Sequence, residues 1–215
     1  MNKTACIITG GTLSSSFLSE YVAEHPENML IVVDGALEIT HQLGLHPNYI
    51  VGDFDTVNQE LLKHYNENII VRHPPEKDQT DTELAIETAL QARCDKLEFL
   101  GATGSRLDHS LANIFLLQGL LSKNITAVIL NETNKLYLAD TSFSMKRKAA
   151  CGDYVSLLPL TETVEEVTLK GFKYPVQNLT FYREKTLGVS NEITEEEAIV
   201  EFKKGIFIVV ESRDK

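Results

Sequence analysis

The sequence predicts an α/β protein: an N-terminal, mostly parallel sheet with helices on both faces, followed by a C-terminal all-β sandwich domain. Three observations predict it. Short apolar runs alternate with helix-like stretches in the first part of the chain. Glycines and acids recur where those apolar runs end. From about residue 135 helical periodicity fades, and strand-like runs succeed one another between turns.

Ala5–Thr9 reads as a buried strand ended by Gly10-Gly11, and Ser14–Glu24 as a helix. Met29–Val33 is a second buried strand, ending at Asp34-Gly35. Ala36–Leu43 is a short helix closed by Gly44. Tyr49–Val51 is a third strand running into Gly52-Asp53, followed by a helix over Gln59–Tyr65. Ile69–Val71 is a fourth strand before Pro74-Pro75. Thr80–Arg93 has helical spacing at Ala85, Ile86, Ala89 and Leu90. Leu97–Leu100 is a fifth strand, stopped by Gly101. Leu107–Ser122 is apolar nearly all round, which predicts a buried helix, and Ala127–Leu130 is a sixth strand.

In the second half, residues 135–139, 154–158, 164–169, 179–182 and 205–210 look like strands. Only Glu195–Ala198 has a helix-like pattern. The domains are placed at 1–140, an α/β domain, and 145–215, a β-sandwich domain.

The composition excludes several classes. The 215 residues suffice for one large domain or two small ones, and the net charge of −11 argues against nucleic acid as a partner. No apolar run is as long as a membrane span, and the N-terminus has no signal-like core, so a cytoplasmic protein is expected. Cys6, Cys94 and Cys151 are too scattered for a disulfide framework or a zinc site.

In parallel sheets ligands gather outside the carboxyl ends of the strands. Gly10-Gly11, Asp34-Gly35, Gly52-Asp53 and Gly101–Gly104 all fall there. Asp53 and Asp55, read as alternate residues of an extended segment, share one side of it. Two hard oxygen ligands at that spacing suit Mg2+ or Mn2+. The same pair also suits a turn in which aspartates bond their own backbone. Thr80-Asp81-Thr82-Glu83 fits a capping box, which would leave Asp81 as a first-turn acid suited to the helix dipole. Lys77 and Asp78 precede it, either as surface charges or as groups aimed at a phosphate or metal. Gly101-Ala102-Thr103-Gly104-Ser105-Arg106-Leu107-Asp108-His109 joins a strand to a helix. Its glycines permit close backbone approach, its helix start offers free amides, and Arg106 can fork onto phosphate oxygens. It is neither a Walker loop nor a Gly-x-Gly-x-x-Gly fingerprint. His109 reads as helix surface.

Together these pieces resemble the thiamine pyrophosphokinase family. The matching segments are Asp34–Ala36, Gly52–Thr56, Pro74–Glu83, Gly101–His109, Phe172–Pro175 and Ser190–Ile193, in family order and across both halves. Ser105 departs from the pattern, a third glycine being common there. The resemblance implies transfer of the diphosphate of ATP to the hydroxyl of thiamine, giving thiamine diphosphate and AMP. It implies a homodimer whose site is shared between chains, with no nucleic-acid or membrane partner. On that reading Asp53, Asp55 and Asp81 hold Mg2+ and are catalytic, with Asp34 aligning the thiamine. Lys77, Asp78, Thr103, Gly104, Ser105, Arg106 and Asp108 serve ATP, and Ser190 and Asn191 contact thiamine from the partner chain. Two alternatives stand beside it: a metal-dependent nucleotide-sugar transferase of the Asp-x-Asp type, and a non-catalytic nucleotide-binding regulator.

Overall fold

The computed structural model describes residues 3–55, 57–73 and 78–214. It divides into two compact units, Met1–Glu132 and Thr133–Lys215.

The first unit contains β1 (Thr4–Ile8), α1 (Ser15–Glu24), β2 (Met29–Val33), α2 (Leu37–Gln42), β3 (Tyr49–Gly52) and α3 (Gln59–Leu62). It continues with β4 (Ile70–Arg72), α4 (Asp81–Gln91), β5 (Lys96–Leu100), α5 (Leu107–Leu121) and β6 (Thr126–Leu130). The strands run parallel in the order β4-β3-β2-β1-β5-β6. The chain therefore steps outward from β1 to β4, then returns through α4 to lay β5 on the other side of β1. That reversal makes a topological switch point between β1 and β5, where loops diverge above the carboxyl ends and leave a crevice.

The strands are apolar on both sides because both faces are covered. Cys6, Ile8, Val32 and Ile50 pack with Leu18 and Tyr21 of α1 and Leu37 of α2. The alternate residues Ile7, Ile31 and Val51 are fully buried on the opposite face, where α4 packs over β1, β2 and β3. The capping box is present as expected. The Thr80 amide donates to Glu83 Oε2 at 2.9 Å, and the Glu83 amide donates to Thr80 Oγ1 at 3.3 Å.

The expectation for α5 requires correction. Leu117 and Leu120 are buried, but Leu107, Leu111 and Phe115 are 73%, 51% and 56% exposed. The helix packs on β6. Its all-round apolar composition thus leaves a greasy stripe at four-residue spacing on the surface of the chain.

One buried carboxylate has a measurable consequence. Glu98, on β5, is 5% exposed and receives hydrogen bonds from Tyr21 Oη and, at 2.9 Å, from Asn28 Nδ2, with Lys96 Nζ at 2.7 Å. Burial pushes its pKa up, but the hydrogen bonds from Lys96 and Tyr21 and the Lys96 charge outweigh that and hold it below its ordinary value. The network therefore stabilises the fold fully above the unfolded carboxylate value of about 4.3, and this contribution fades as pH falls through the lower folded value. Urea titrations between pH 7 and 3 should show the loss, and Glu98→Gln should flatten that acid limb. An unchanged limb would place the acid sensitivity elsewhere.

The second unit is antiparallel throughout. It contains β7 (Asn134–Ala139), β8 (Phe143–Lys146), β9 (Tyr154–Pro159), β10 (Thr163–Lys170), β11 (Val176–Tyr182), β12 (Glu197–Glu201) and β13 (Phe207–Ser212). One sheet pairs β7 and β9 with the two edges of β13, and the other runs β11-β10-β12-β8. Val155, Leu157, Phe207 and Val209 from the first meet Val164, Val167, Phe181 and Val200 from the second, the core of a sandwich. The helix-like reading of Glu195–Ala198 is overturned. Glu197–Glu201 is strand, with Ala198 and Val200 buried between exposed glutamates and paired to both β8 and β10. Helix-favouring glutamates gave way to cross-strand pairing and period-two burial.

Candidate active site

β2 ends at Asp34, which starts a single turn of tight helix, Asp34–Ala36. β3 ends beside it at Gly52, where a Cβ would come within 2.9 Å of Asp34 Cβ, so glycine permits the approach. The next residues do not continue as an extended segment. Phe54 has φ 60° and is 1% exposed. Its ring is buried under the Arg72 guanidinium, 5.3 Å from the centroid, and its carbonyl accepts from Gln59 Nε2 at 2.7 Å. Anchored so, a left-handed residue turns the chain sharply. The Asp55 amide then donates to Asp53 Oδ1 at 3.1 Å, the self-bonded turn that Asp-x-Asp also allows.

That turn brings carboxylates together. Asp34, Asp53 and Asp55 each offer an oxygen within 4.8 Å of the others. Two like charges at about 4 Å repel by roughly 4 kcal/mol at an effective dielectric of ~20. Three hard, anionic oxygens at this spacing are a donor set that fits Mg2+ or Mn2+ and would exchange repulsion for attraction on binding.

Asp34 also lines a cleft of about 580 Å³, walled by Thr9–Thr12, Gln79–Thr82 and Gly101–Arg106. The cleft lies over the switch point. Here the β1 and β5 loops extend the parallel ladder beyond the strands: the Thr9 amide donates to the Leu100 carbonyl at 2.9 Å, Gly11 to Gly101 at 2.8 Å and Thr12 to Thr103 at 2.8 Å. A Cβ on Gly11 would lie 2.1 Å from the Gly101 carbonyl oxygen. The two glycine loops thus meet backbone to backbone.

The sequence-derived candidates distribute as follows. Asp53 and Asp55 meet Asp34, while Asp81, in the first turn of α4, lines the cleft with Asp34 and lies outside the three-carboxylate group. Thr103, Gly104, Ser105 and Arg106 line the cleft. Asp78 and Asp108 are exposed and are not part of its lining. Lys77 and Thr56 lie outside the described residues. Arg106 forks onto Asp108, Nη2 to Oδ2 at 2.5 Å and Nε to Oδ1 at 3.2 Å. That guanidinium, with the His109 amide, holds the Asp108 carboxyl down to about 2. A phosphate reaching Arg106 must compete with this exposed pair.

In the second unit Ser190 has φ 54°, and its amide donates to Ser156 Oγ at 3.0 Å. Asn191 is 5% exposed. Its Oδ1 accepts from the amides of Tyr174 and Glu192, and its Nδ2 donates to the Tyr174 carbonyl. The Asn191 side chain is therefore committed to fixing the 172–175 segment, while Ser190 is exposed beside it.

Sequence reasoning placed Gly10-Gly11 at a strand's carboxyl end but gave it no role as a wall facing the 101–106 loop, and it passed over Ser110 and Asn113, which line the cleft. Strand order was needed to find the first. Two polar positions in an apolar helix were a signal for the others.

Comparison with known proteins decides the family. The model of the thiamin pyrophosphokinase catalytic domain matches residues 23–129, and that of the thiamin pyrophosphokinase vitamin B1 binding domain matches 140–207. The thiamine pyrophosphokinase of Bacillus subtilis is 33% identical over 215 residues, covering 99% of this chain and 100% of the relative. The chain belongs to the thiamine pyrophosphokinase family. It is accordingly an enzyme. The crystal structure of the B. subtilis thiamine pyrophosphokinase superposes with a TM-score of 0.86 at 32% identity, over 99% of this chain and 100% of that one. That of the Geobacillus thermodenitrificans thiamin pyrophosphokinase gives 0.84 at 32% identity, over 99% and 98%. These matches favour thiamine pyrophosphokinase over the nucleotide-sugar transferase and the regulator. Both family models fall within the two structural units, the first inside Met1–Glu132 and the second inside Thr133–Lys215.

Proposed function

We propose that the protein transfers the diphosphate of ATP to the hydroxyl of thiamine, with Mg2+ held by Asp34, Asp53 and Asp55. One observation carries the reading: a three-carboxylate group shares Asp34 with a glycine-walled cleft, in a chain belonging to this family. The thiamine oxygen bonds to the β-phosphorus, the bridging bond to the α-phosphate breaks, and AMP leaves with the electron pair. The hydroxyl proton passes to water or to a cleft carboxylate. A bound Mg2+ supplies charge neutralisation on the phosphates as negative charge shifts toward AMP.

The chain's own groups do the positioning. The 101–106 loop and the α4 N-terminus present backbone amides to the phosphates. Arg106 exchanges Asp108 for a phosphate oxygen, and Lys77 adds a second cation. Asp78 and Asp108, exposed outside the cleft lining, serve as water holders. Asp81 keeps negative charge on the cleft wall, which attracts the cationic thiazolium.

We place the enzyme in the cytoplasm, where ATP is available, and expect a homodimer in which Ser190 of one chain reaches thiamine held by the other. Asn191 supports it by fixing the Ser190 segment. The exposed apolar stripe of Leu107, Leu111 and Phe115 supports self-association, and sedimentation of the purified protein tests it.

Mass spectrometry of protein with ATP, Mg2+ and thiamine should detect thiamine diphosphate and AMP in equal amounts; ADP instead, or no product, would refute the reaction. Ser190→Ala should weaken thiamine binding by about 5- to 10-fold, the value of one hydrogen bond, with little change for ATP. Equal thiamine affinity by calorimetry would remove Ser190 from the pocket.

A further inference from the structure

We infer that Ser110 and Asn113, three residues apart on α5, are positioning residues that hold the 101–106 loop in the form that receives the nucleotide's phosphates. The inference rests on the reading that this cleft takes ATP.

A loop that binds an anion must turn its carbonyl oxygens away and leave amides available, because a carbonyl facing a phosphate is repelled by it. In the 101–106 loop four of the six carbonyls, those of Gly101, Ala102, Thr103 and Arg106, are engaged. Those of Gly101 and Thr103 accept the Gly11 and Thr12 amides, both at 2.8 Å. The Ala102 carbonyl accepts from Asn113 Nδ2 at 2.8 Å. The Arg106 carbonyl accepts from Ser110 Oγ at 3.1 Å, and Ser110 Oγ in turn accepts from the Gly104 amide at 3.1 Å. Among the described residues, the amides of Ala102, Thr103 and Ser105 donate to no group of the chain. Ser110 is 9% exposed and, with Asn113, lines the cleft beside this loop. Its hydroxyl closes a bridge between Gly104 and Arg106, the two ends of the turn. Ser110 and Asn113 act through the loop, so their loss should affect phosphate binding before anything else.

The test measures equilibrium binding of ATP with Mg2+, and separately of thiamine, to the purified full chain, with hydrogen exchange read across residues 101–106. Ser110→Ala and Asn113→Ala should each raise the Kd for ATP by about tenfold, the effect expected when a buried hydrogen-bond partner is removed. Thiamine affinity should hold, and KM for ATP should rise more than kcat falls. Exchange should quicken in the loop, and Ser110→Thr, which keeps the hydroxyl, should recover ATP affinity. If Asn113→Ala does not fold, Asn113→Asp keeps the shape without the donor and carries the same expectation. Unchanged ATP affinity, or equal losses for ATP and thiamine with a lowered melting temperature, would overturn the inference. Wild-type protein that binds ATP but makes no thiamine diphosphate refutes only the proposed reaction. Wild-type protein that binds no ATP refutes both.

Discussion

Asp53→Asn should abolish Mg2+-dependent turnover while leaving the metal-free protein as stable as before, or slightly more so. Asp34, Asp53 and Asp55 bring oxygens within 4.8 Å of one another, so removing one charge relieves repulsion among them when no metal is supplied. The amide keeps the shape of the side chain and an oxygen able to accept the Asp55 amide. Metal affinity, in contrast, depends on the summed charge of the ligands. The loss should exceed the ~10–100-fold that follows removal of an outer partner of a metal ligand. The thermal shift produced by Mg2+ should vanish with it, since a ligand that no longer binds no longer stabilises. Two measurements check this: steady-state AMP release, and melting with and without Mg2+. Near-normal turnover would remove Asp53 from the metal group. A lowered melting point without metal would mean that its charge serves the fold.

Gly101→Ala should be the most damaging small substitution in the first unit. Gly101 has φ +70°, and a Cβ there would lie 2.3 Å from the Thr9 carbonyl oxygen. The left-handed conformation costs roughly 1–2 kcal/mol for a residue with a side chain, and forcing extra volume into packed backbone adds about 1–3 kcal/mol. A loss of about 2–5 kcal/mol is a large share of the ~5–15 kcal/mol that holds a typical domain. Urea unfolding measures it. ATP affinity should fall as well, because the Gly11 and Thr12 contacts that fix the β5 loop would be displaced. A loss below about 1 kcal/mol with intact ATP binding would show that the two loops are not locked together.

Much of the fold was legible because it is local. Thr80 and Glu83 specify their helix start wherever that helix lies. Period-two burial in β9 and β10, and the continuous apolar runs of β1 and β2, declare strands of different kinds. Glu195–Ala198 misled for the same reason that the others succeeded: glutamates favour a helix in isolation, and only neighbouring strands made them the outward edge of β12. The composition of α5 misled differently. An apolar surface says that something should cover it, without saying whether the same chain does.

The site divides along the same line. Residue type, spacing and position after a strand pointed to Asp53, Asp55 and Asp81, to Asp34 at its strand end, and to the 101–106 loop, because ligand chemistry and glycine geometry are written in short segments. Which carboxylate meets which was not so written. Asp34 and Asp53 are neighbours because β2 pairs with β3 and Gly52 lets the chains touch, while Asp81 joins the cleft wall from the first turn of α4. Gly10–Thr12 becomes a wall only because the chain reverses between β1 and β5. A sequence fixes which groups are available at each turn of the backbone. The order of the strands sets which turns share a crevice, and that order comes from packing across the whole sheet, a sum over contacts between residues far apart in the chain.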